Sequence, residues 1–121
     1  MNAGDAKLGA RLRVVLAQDV ALGTGKADIL ERIRDTGSIS EAGREMGMSY
    51  KRAWKLIDGL NRTFREPLVE TTRGGSSHGG AVLTASGEEV LARFRRMEAA
   101  TEAAVEDDLA ALRRLVARTP G

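Results

Sequence analysis

The stretch from residue 37 to residue 64, GSISEAGREMGMSYKRAWKLIDGLNRTF, carries its own start and stop signals, and they leave little choice of local structure. Ser38 followed three residues later by Glu41 is a capping-box spacing, which predicts a helix beginning at Ile39. Ile39, Ala42 and Met46 share one side of that helix. Gly47 then supplies the residue that leaves a helix with positive φ at little steric cost. Ser49 caps a second helix that starts at once. On the second helix Ala53, Leu56, Ile57, Leu60 and Phe64 line one face. Lys51, Arg52, Lys55, Arg62 and Arg65 fall on or near the other, with Tyr50 in the first turn.

Two short helices, a Gly-containing turn and a cationic outer face describe a helix-turn-helix whose second helix enters a DNA major groove. The competing reading is an ordinary helical hairpin with a solvated charged face. Trp54 also lies on the second helix, where its spacing fits a core or flanking packing role better than base stacking. The formal net charge of the whole chain is only +2, so its distribution says more than its sum. From Ser49 to Gly80 six Lys or Arg (51, 52, 55, 62, 65, 73) face three acids (58, 66, 70). From Glu88 to Glu106 five acids (88, 89, 98, 102, 106) outnumber three Arg (93, 95, 96). A basic middle and an acidic tail suit a polyanion-facing module joined to a segment that stays off the polyanion.

The flanking sequence supplies a frame for this pair. Residues 8–16, LGARLRVVL, alternate Leu8, Ala10, Leu12, Val14 and Leu16 against Arg11 and Arg13, which predicts a half-buried strand. Ala17 to Gly23 reads as a connector. Thr24 is the expected cap of a helix over 25–35, with Ile29, Leu30 and Ile33 inward and Gly37 at its left-handed end. After Arg65 the Glu66-Pro67 pair ends the basic helix. Residues 68–72 and 81–83 then read as strands around the loop RGGSSHGG, residues 73–80. This is the order of a wing, in which Gly lets backbone approach phosphates and Arg73 pairs with a phosphate or enters the minor groove. A hairpin tip without a partner is the alternative. Strand 8–16 is expected to join this hairpin in a three-stranded sheet.

Thr84 caps a last helix running from Ala85 to Arg118. Val90, Phe94, Met97, Thr101, Val105, Leu109, Leu112 and Val116 trace an apolar stripe along it. At ~1.5 Å per residue such a helix outruns one small domain. Its stripe therefore needs a second copy of the chain, or else the helix breaks and folds back.

The 121 residues suit one compact domain with an appendage: a DNA-binding unit over 1–84 and a dimerisation helix over 85–121. Without Cys there is no disulfide scaffold, thiolate metal site or Cys nucleophile. His78 is the sole histidine and has no carboxylate neighbour for a closed metal site. Ser76, Ser77 and His78 form no nucleophile–base–orienter set. Gly74-Gly75 and Gly79-Gly80 lack the GK[ST] of a phosphate-binding loop. No enzyme, cofactor or metal is expected. No apolar run reaches the ~20 residues of a membrane span, and the N-terminus lacks the apolar core of a signal peptide, so a cytoplasmic location is expected.

The stretches GSISEAGREMGMSYKRAW, LVE with GGSSHGGAVLT, and LTASGEEVL together resemble the DNA-binding domain of ModE-type regulators, molybdate-responsive relatives of the LysR winged-helix group. The likeness covers about Lys7 to Leu91. It implies a winged helix dimerised through its first and last helices. It also implies that the helix opening at Ser49-Tyr50-Lys51-Arg52 reads the major groove, with the 73–80 wing beside it. Members of that family continue into molybdate-binding domains, whereas this sequence ends at Gly121, so no small-molecule effector is expected within it.

The expected fold is mainly α with a small β-sheet, a winged helix-turn-helix plus a long C-terminal helix. The expected function is a homodimeric transcriptional regulator on an inverted-repeat, double-stranded DNA operator, linked to molybdenum genes only through the resemblance. Its DNA contacts are expected from Ser38, Ser49, Tyr50, Lys51, Arg52, Lys55, Arg62, Arg65, Arg73, Gly74, Gly75, Ser76, Ser77 and His78. The alternative is a winged-helix protein-interaction module that pairs with another regulator and does not touch DNA.

Overall fold

The computed structural model describes residues 9–72 and 80–117. Two strands, β1 (Arg13–Ala17) and β2 (Val20–Gly23), precede three helices, α1 (Thr24–Thr36), α2 (Ile39–Glu45) and α3 (Tyr50–Thr63). A second strand pair, β3 (Val69–Thr72) and β4 (Gly80–Leu83), leads into the long helix α4 (Ala85–Leu115). Wing strands directly after a helix-turn-helix make this the mainly α winged helix with a long C-terminal helix that the sequence predicts.

The core is assembled from one face of each helix. Ile29, Leu30 and Ile33 of α1 meet Ile39 and Ala42 of α2, Ala53, Ile57 and Leu60 of α3, and Leu91 and Phe94 of α4. Leu68, Val69 and Ala81 close it from the wing side. Burying a side chain such as Ile or Leu contributes about 1.5–3 kcal/mol, so this cluster is the main stabilising term. Phe94 is fully buried in the core of its own chain and Val90 packs against that core, so these two leave the stripe expected to meet a second copy. Beyond Phe94 no described residue is buried, and Met97, Leu112, Leu115 and Val116 are exposed.

Packing therefore runs across residue 84 and takes in the first three turns of α4. A polar clamp reinforces it. Arg95 donates from Nη2 to Asp28 Oδ1 at 2.7 Å, from Nε to Glu31 Oε1 at 3.1 Å and from Nη1 to Glu98 Oε1 at 2.8 Å. The Thr24 hydroxyl donates to the other oxygen of Glu98 at 3.1 Å. Partial burial works to lower the Arg95 pKa, but the hydrogen bonds it donates to Asp28 and Glu98 outweigh that and hold the guanidinium above its ordinary value. Arg95, like any arginine, is charged throughout physiological pH.

Three expectations change at the N-terminal end. β1 pairs antiparallel with β2, so residues 17–23 are mostly the return strand of a hairpin. The register slips between Val15 and Ala17, a bulge that turns Leu16 out of phase with Leu12 and Val14. Leu12 and Val14 pack on the core, whereas Leu16 is exposed. The hairpin turns at Gln18-Asp19, with Asp19 at φ 64°, a left-handed conformation that Asp tolerates better than most residues. Gly23, not Thr24, caps α1, and it does so without a side-chain bond.

The three-stranded sheet is also absent among the described residues, where β1–β2 and β3–β4 form separate two-stranded sheets. The third place beside β4 is taken by one backbone bond, from Ala81 N–H to the Gly37 carbonyl at 2.9 Å. Gly37 serves both ends of this junction, because its own N–H closes α1 on Ile33 at φ 71°. Thr84 caps α4 as expected, accepting from the Gly87 N–H at 3.0 Å.

At Gly87 the first turn of α4 lies directly against the Leu68 backbone, and a Cβ there would overlap the Leu68 carbonyl. Backbone cannot swing aside as a side-chain tip does. Gly87→Ala is expected to cost about 1–3 kcal/mol or more, as overpacking does, measured as a lower midpoint in urea unfolding.

Candidate nucleic-acid interface

The interface is built on the cap of α3. The Ser49 hydroxyl accepts from the Arg52 N–H at 3.1 Å, and the Ser49 carbonyl takes the Ala53 N–H at 3.0 Å. Gly47, at φ 70°, provides the turn that brings α3 back across α2. The Met48 N–H returns to the Gly43 carbonyl at 2.9 Å and stitches the turn to α2. At the other end Asn61 ties α3 to the wing. Its Oδ1 accepts from the N–H groups of Leu68 at 2.8 Å and Val69 at 3.0 Å, and its Nδ2 donates to the Val69 carbonyl at 3.0 Å. Sequence reasoning missed Asn61 as a positioning residue, since its three partners lie beyond the Pro67 break.

With Ala53, Ile57 and Leu60 buried, the opposite side of α3 faces outward. Tyr50, Lys51, Arg52, Lys55, Arg62 and Arg65 are all exposed. They differ in what they face. Arg62 is held by Asp58 one turn earlier, Nε to Oδ2 at 3.0 Å. Among the described residues no carboxylate lies within ion-pairing distance of Lys51, Arg52, Lys55 or Arg65. Like α1, α3 has no acid in its first turn, whereas α2 has Glu41 and α4 has Glu88. A helix N-terminus carries partial positive charge and ordinarily favours an acid there. Cations at that end add repulsion that nothing in the described chain offsets, and the arrangement suits an anion arriving from outside.

Two sequence expectations are corrected. Of the core or flanking role expected for Trp54, the core half does not hold: it is 45% exposed, at the flank of the packed face, one helical turn from Tyr50, which is 56% exposed. The capping box at α2 is only half formed. Ser38 Oγ accepts from the Glu41 N–H at 3.1 Å, but the Ser38 N–H donates to the Thr36 hydroxyl oxygen and the Glu41 carboxylate pairs with Arg44 at 3.2 Å. Ser38 is half-buried with its polar groups engaged at the α1–α2 junction, which makes it a structural residue first. Arg73, Gly74, Gly75, Ser76, Ser77 and His78 lie outside the described residues. No group of three or more His, Cys, Asp or Glu is placed to hold a metal ion, and no helix is long and apolar enough to cross a membrane, among the described residues.

The model of the bacterial regulatory helix-turn-helix proteins of the lysR family matches residues 26–88, from α1 to the first turn of α4. The chain belongs to that family. The β1–β2 hairpin and most of α4 fall outside the matched span. Among similar curated proteins, the molybdenum-pterin-binding protein MopB of Rhodobacter capsulatus is 42% identical over 78 residues, 64% of this chain and 29% of that protein. The molybdenum transport protein ModE of Azotobacter vinelandii is 36% identical over 95 residues, 75% of this chain and 35% of its own length. The DNA-binding transcriptional dual regulator ModE of Escherichia coli is 36% identical over 80 residues, 66% and 30%. The chain thus spans about a third of the length of the curated relatives it matches.

A chain in the crystal structure of the CbnR_DBD–DNA complex superposes with a TM-score of 0.57 at 19% identity, covering 73% of this chain and 95% of that one. That likeness shows the winged-helix fold. The lysR family is one of regulators, not enzymes, in agreement with the sequence reading.

Because the orientation of α3 begins at its cap, Ser49→Ala is expected to lower stability by about 1 kcal/mol. The check is urea unfolding followed by circular dichroism, with amide exchange of Arg52 accelerated more than that of Leu60.

Proposed function

We propose that this chain is the DNA-binding portion of a transcriptional regulator that recognises an inverted-repeat operator as a homodimer. The observation that carries the reading is the unopposed cationic start of α3. Lys51, Arg52 and Lys55 occupy its first two turns on a convex surface that fits a major groove. Arg62 and Arg65 further along, and Arg73 in the wing, are assigned to phosphates. Membership in the lysR family supports the same reading, as do relatives named for transcriptional regulation and a solved neighbour that carries DNA. The names of the ModE and Mop relatives favour genes of molybdenum uptake or use as the regulated set. Such a regulator acts in the cytoplasm.

The dimer reading rests on α4. Met97, Thr101, Val105, Leu109, Leu112 and Val116 continue an apolar stripe along a helix with no described core to pack on, and a second α4 is the simplest cover. Two-fold pairing would set the recognition helices one turn of DNA apart, ~34–36 Å, or a multiple of it. Selection of bound duplexes from a randomised pool tests the whole reading, because it returns half-site, spacing and symmetry together. No enriched sequence, with the protein instead co-purifying with a larger regulator, would favour the interaction module.

Lys51→Ala and Lys55→Ala separate phosphate contact from base reading. If they contact phosphates, each should weaken all duplexes alike and reduce the slope of log affinity against log salt by about one, measured by fluorescence anisotropy at several salt concentrations. Leu109→Asp with Leu112→Asp should leave the winged helix folded but yield a monomer in light scattering. Affinity for the inverted repeat should then drop by about 10²-fold, the gain a second linked half-site brings.

A further inference from the structure

Tyr50 and Trp54 do not fit a surface built only to attract phosphate. Each ring is about half exposed, they sit at i and i+4 on one edge of α3, and Lys51 and Lys55 run beside them at the same spacing. Neither ring is among the residues packed on the core. A cation-only surface gains nothing from placing two large apolar groups in water next to its charges, so they call for an apolar contact in the ligand. Taking the DNA-binding reading above as the basis, the thymine 5-methyl group is the one apolar group that projects from the base edges of an intact major groove. Stacking on a base would need that base unstacked, and wedge insertion between base steps is a device of minor-groove proteins.

We propose that Tyr50 and Trp54 read thymine methyl groups in the major groove, so that sequence preference rests on an apolar contact set between two lysines. The aromatic pair gives selectivity for T·A over C·G where it touches, and the lysines hold the helix at the depth at which the rings meet the methyls. Trp54 is the only tryptophan of the chain, so its emission reports this contact directly.

The test uses the duplex selected from the randomised pool, with each thymine replaced in turn by deoxyuridine, which removes only the methyl group. Wild-type protein should lose roughly fourfold in affinity at each contacted position, the worth of one buried methylene-sized group, and Trp54 emission should shift less on the substituted duplex. Trp54→Ala and Tyr50→Ala, confirmed as folded by circular dichroism melting, should bind the thymine and deoxyuridine duplexes equally at the positions each ring covers. Tight binding to the selected duplex with no deoxyuridine effect at any position would overturn the inference and leave DNA binding standing. A deoxyuridine effect undiminished in both variants would also overturn it, by placing the methyl contact on other residues. Failure of the wild-type protein to bind any duplex would remove the DNA-binding reading itself, and this inference with it.

Discussion

Everything that α3 presents outward is set by how closely its backbone approaches α2. A methyl group added at Gly43 would stand 2.9 Å from Ala53 Cβ, tighter than side chains pack, so the crossing needs a residue without Cβ on one helix opposite a small one on the other. That approach lets Ile57 and Leu60 reach Ile29, Leu30 and Ile33, and it fixes which face of a 14-residue helix is consumed by the core. Asn61 then locks the far end of α3 to the start of β3 through three hydrogen bonds. With one end wedged and the other tied, α3 has little freedom to roll. Its cationic side points outward as a consequence of packing, without any contact of its own to hold it there.

The described cations fall into three sorts by the acids they meet. Arg95 is half-buried, meets three carboxylates and serves to hold α4 on α1. Arg32, Arg34, Arg44, Arg62 and Arg93 each have one acidic partner at the surface, pairs of the kind that contribute about 0–1 kcal/mol. Lys51, Arg52, Lys55 and Arg65 have no carboxylate within ion-pairing distance, and among the described residues neither do Arg13, Lys26, Arg96, Arg113 and Arg114; what sets Lys51, Arg52 and Lys55 apart is that they share the first two turns of one helix. The chain has 17 acidic residues, enough to partner more of its 19 Lys and Arg, yet the only one on α3 is Asp58, and it faces Arg62. The positive field at the start of α3 is therefore left whole, reinforced by the helix N-terminus, and available to a polyanion.

What the sequence made legible was what depends on residues a few positions apart. The caps at Ser38, Ser49 and Thr84 and the left-handed glycines 37 and 47 are governed by sterics and hydrogen bonds within one turn, and each sits where its neighbours predict. The wing strands were legible for the same reason, with Pro67 marking where the helix must stop. Tertiary contacts were not. The bulge at Leu16 hid a hairpin behind an unbroken alternation, and Gln18-Asp19 is not among the strong turn dipeptides. Trp54 sits at the edge of the apolar arc of α3, where periodicity alone does not separate inside from outside. The basic residues of the site were readable by type, but which of them lack a partner was a property of the fold.

The same contrast bears on how the two ends of α4 act. Phe94 and the Arg95 clamp bind its first part to α1, so that part moves as one body with the helix-turn-helix, while the remaining turns, about 30 Å of helix at ~1.5 Å per residue, have no described core beneath them. In the dimer proposed above, the distal turns would set where the second protomer lies, and the clamp would carry that placement to α3 through α1 and α2. Asp28, Glu31 and Glu98, which touch neither the proposed DNA surface nor the distal stripe, then become the residues that relate the two recognition helices. A charge change among them should alter which half-site spacing is preferred before it alters how a single half-site is read. Spacing and reading would be separable because they rest on different elements, the distal turns of α4 and the start of α3, coupled through the Phe94 packing and the Arg95 clamp.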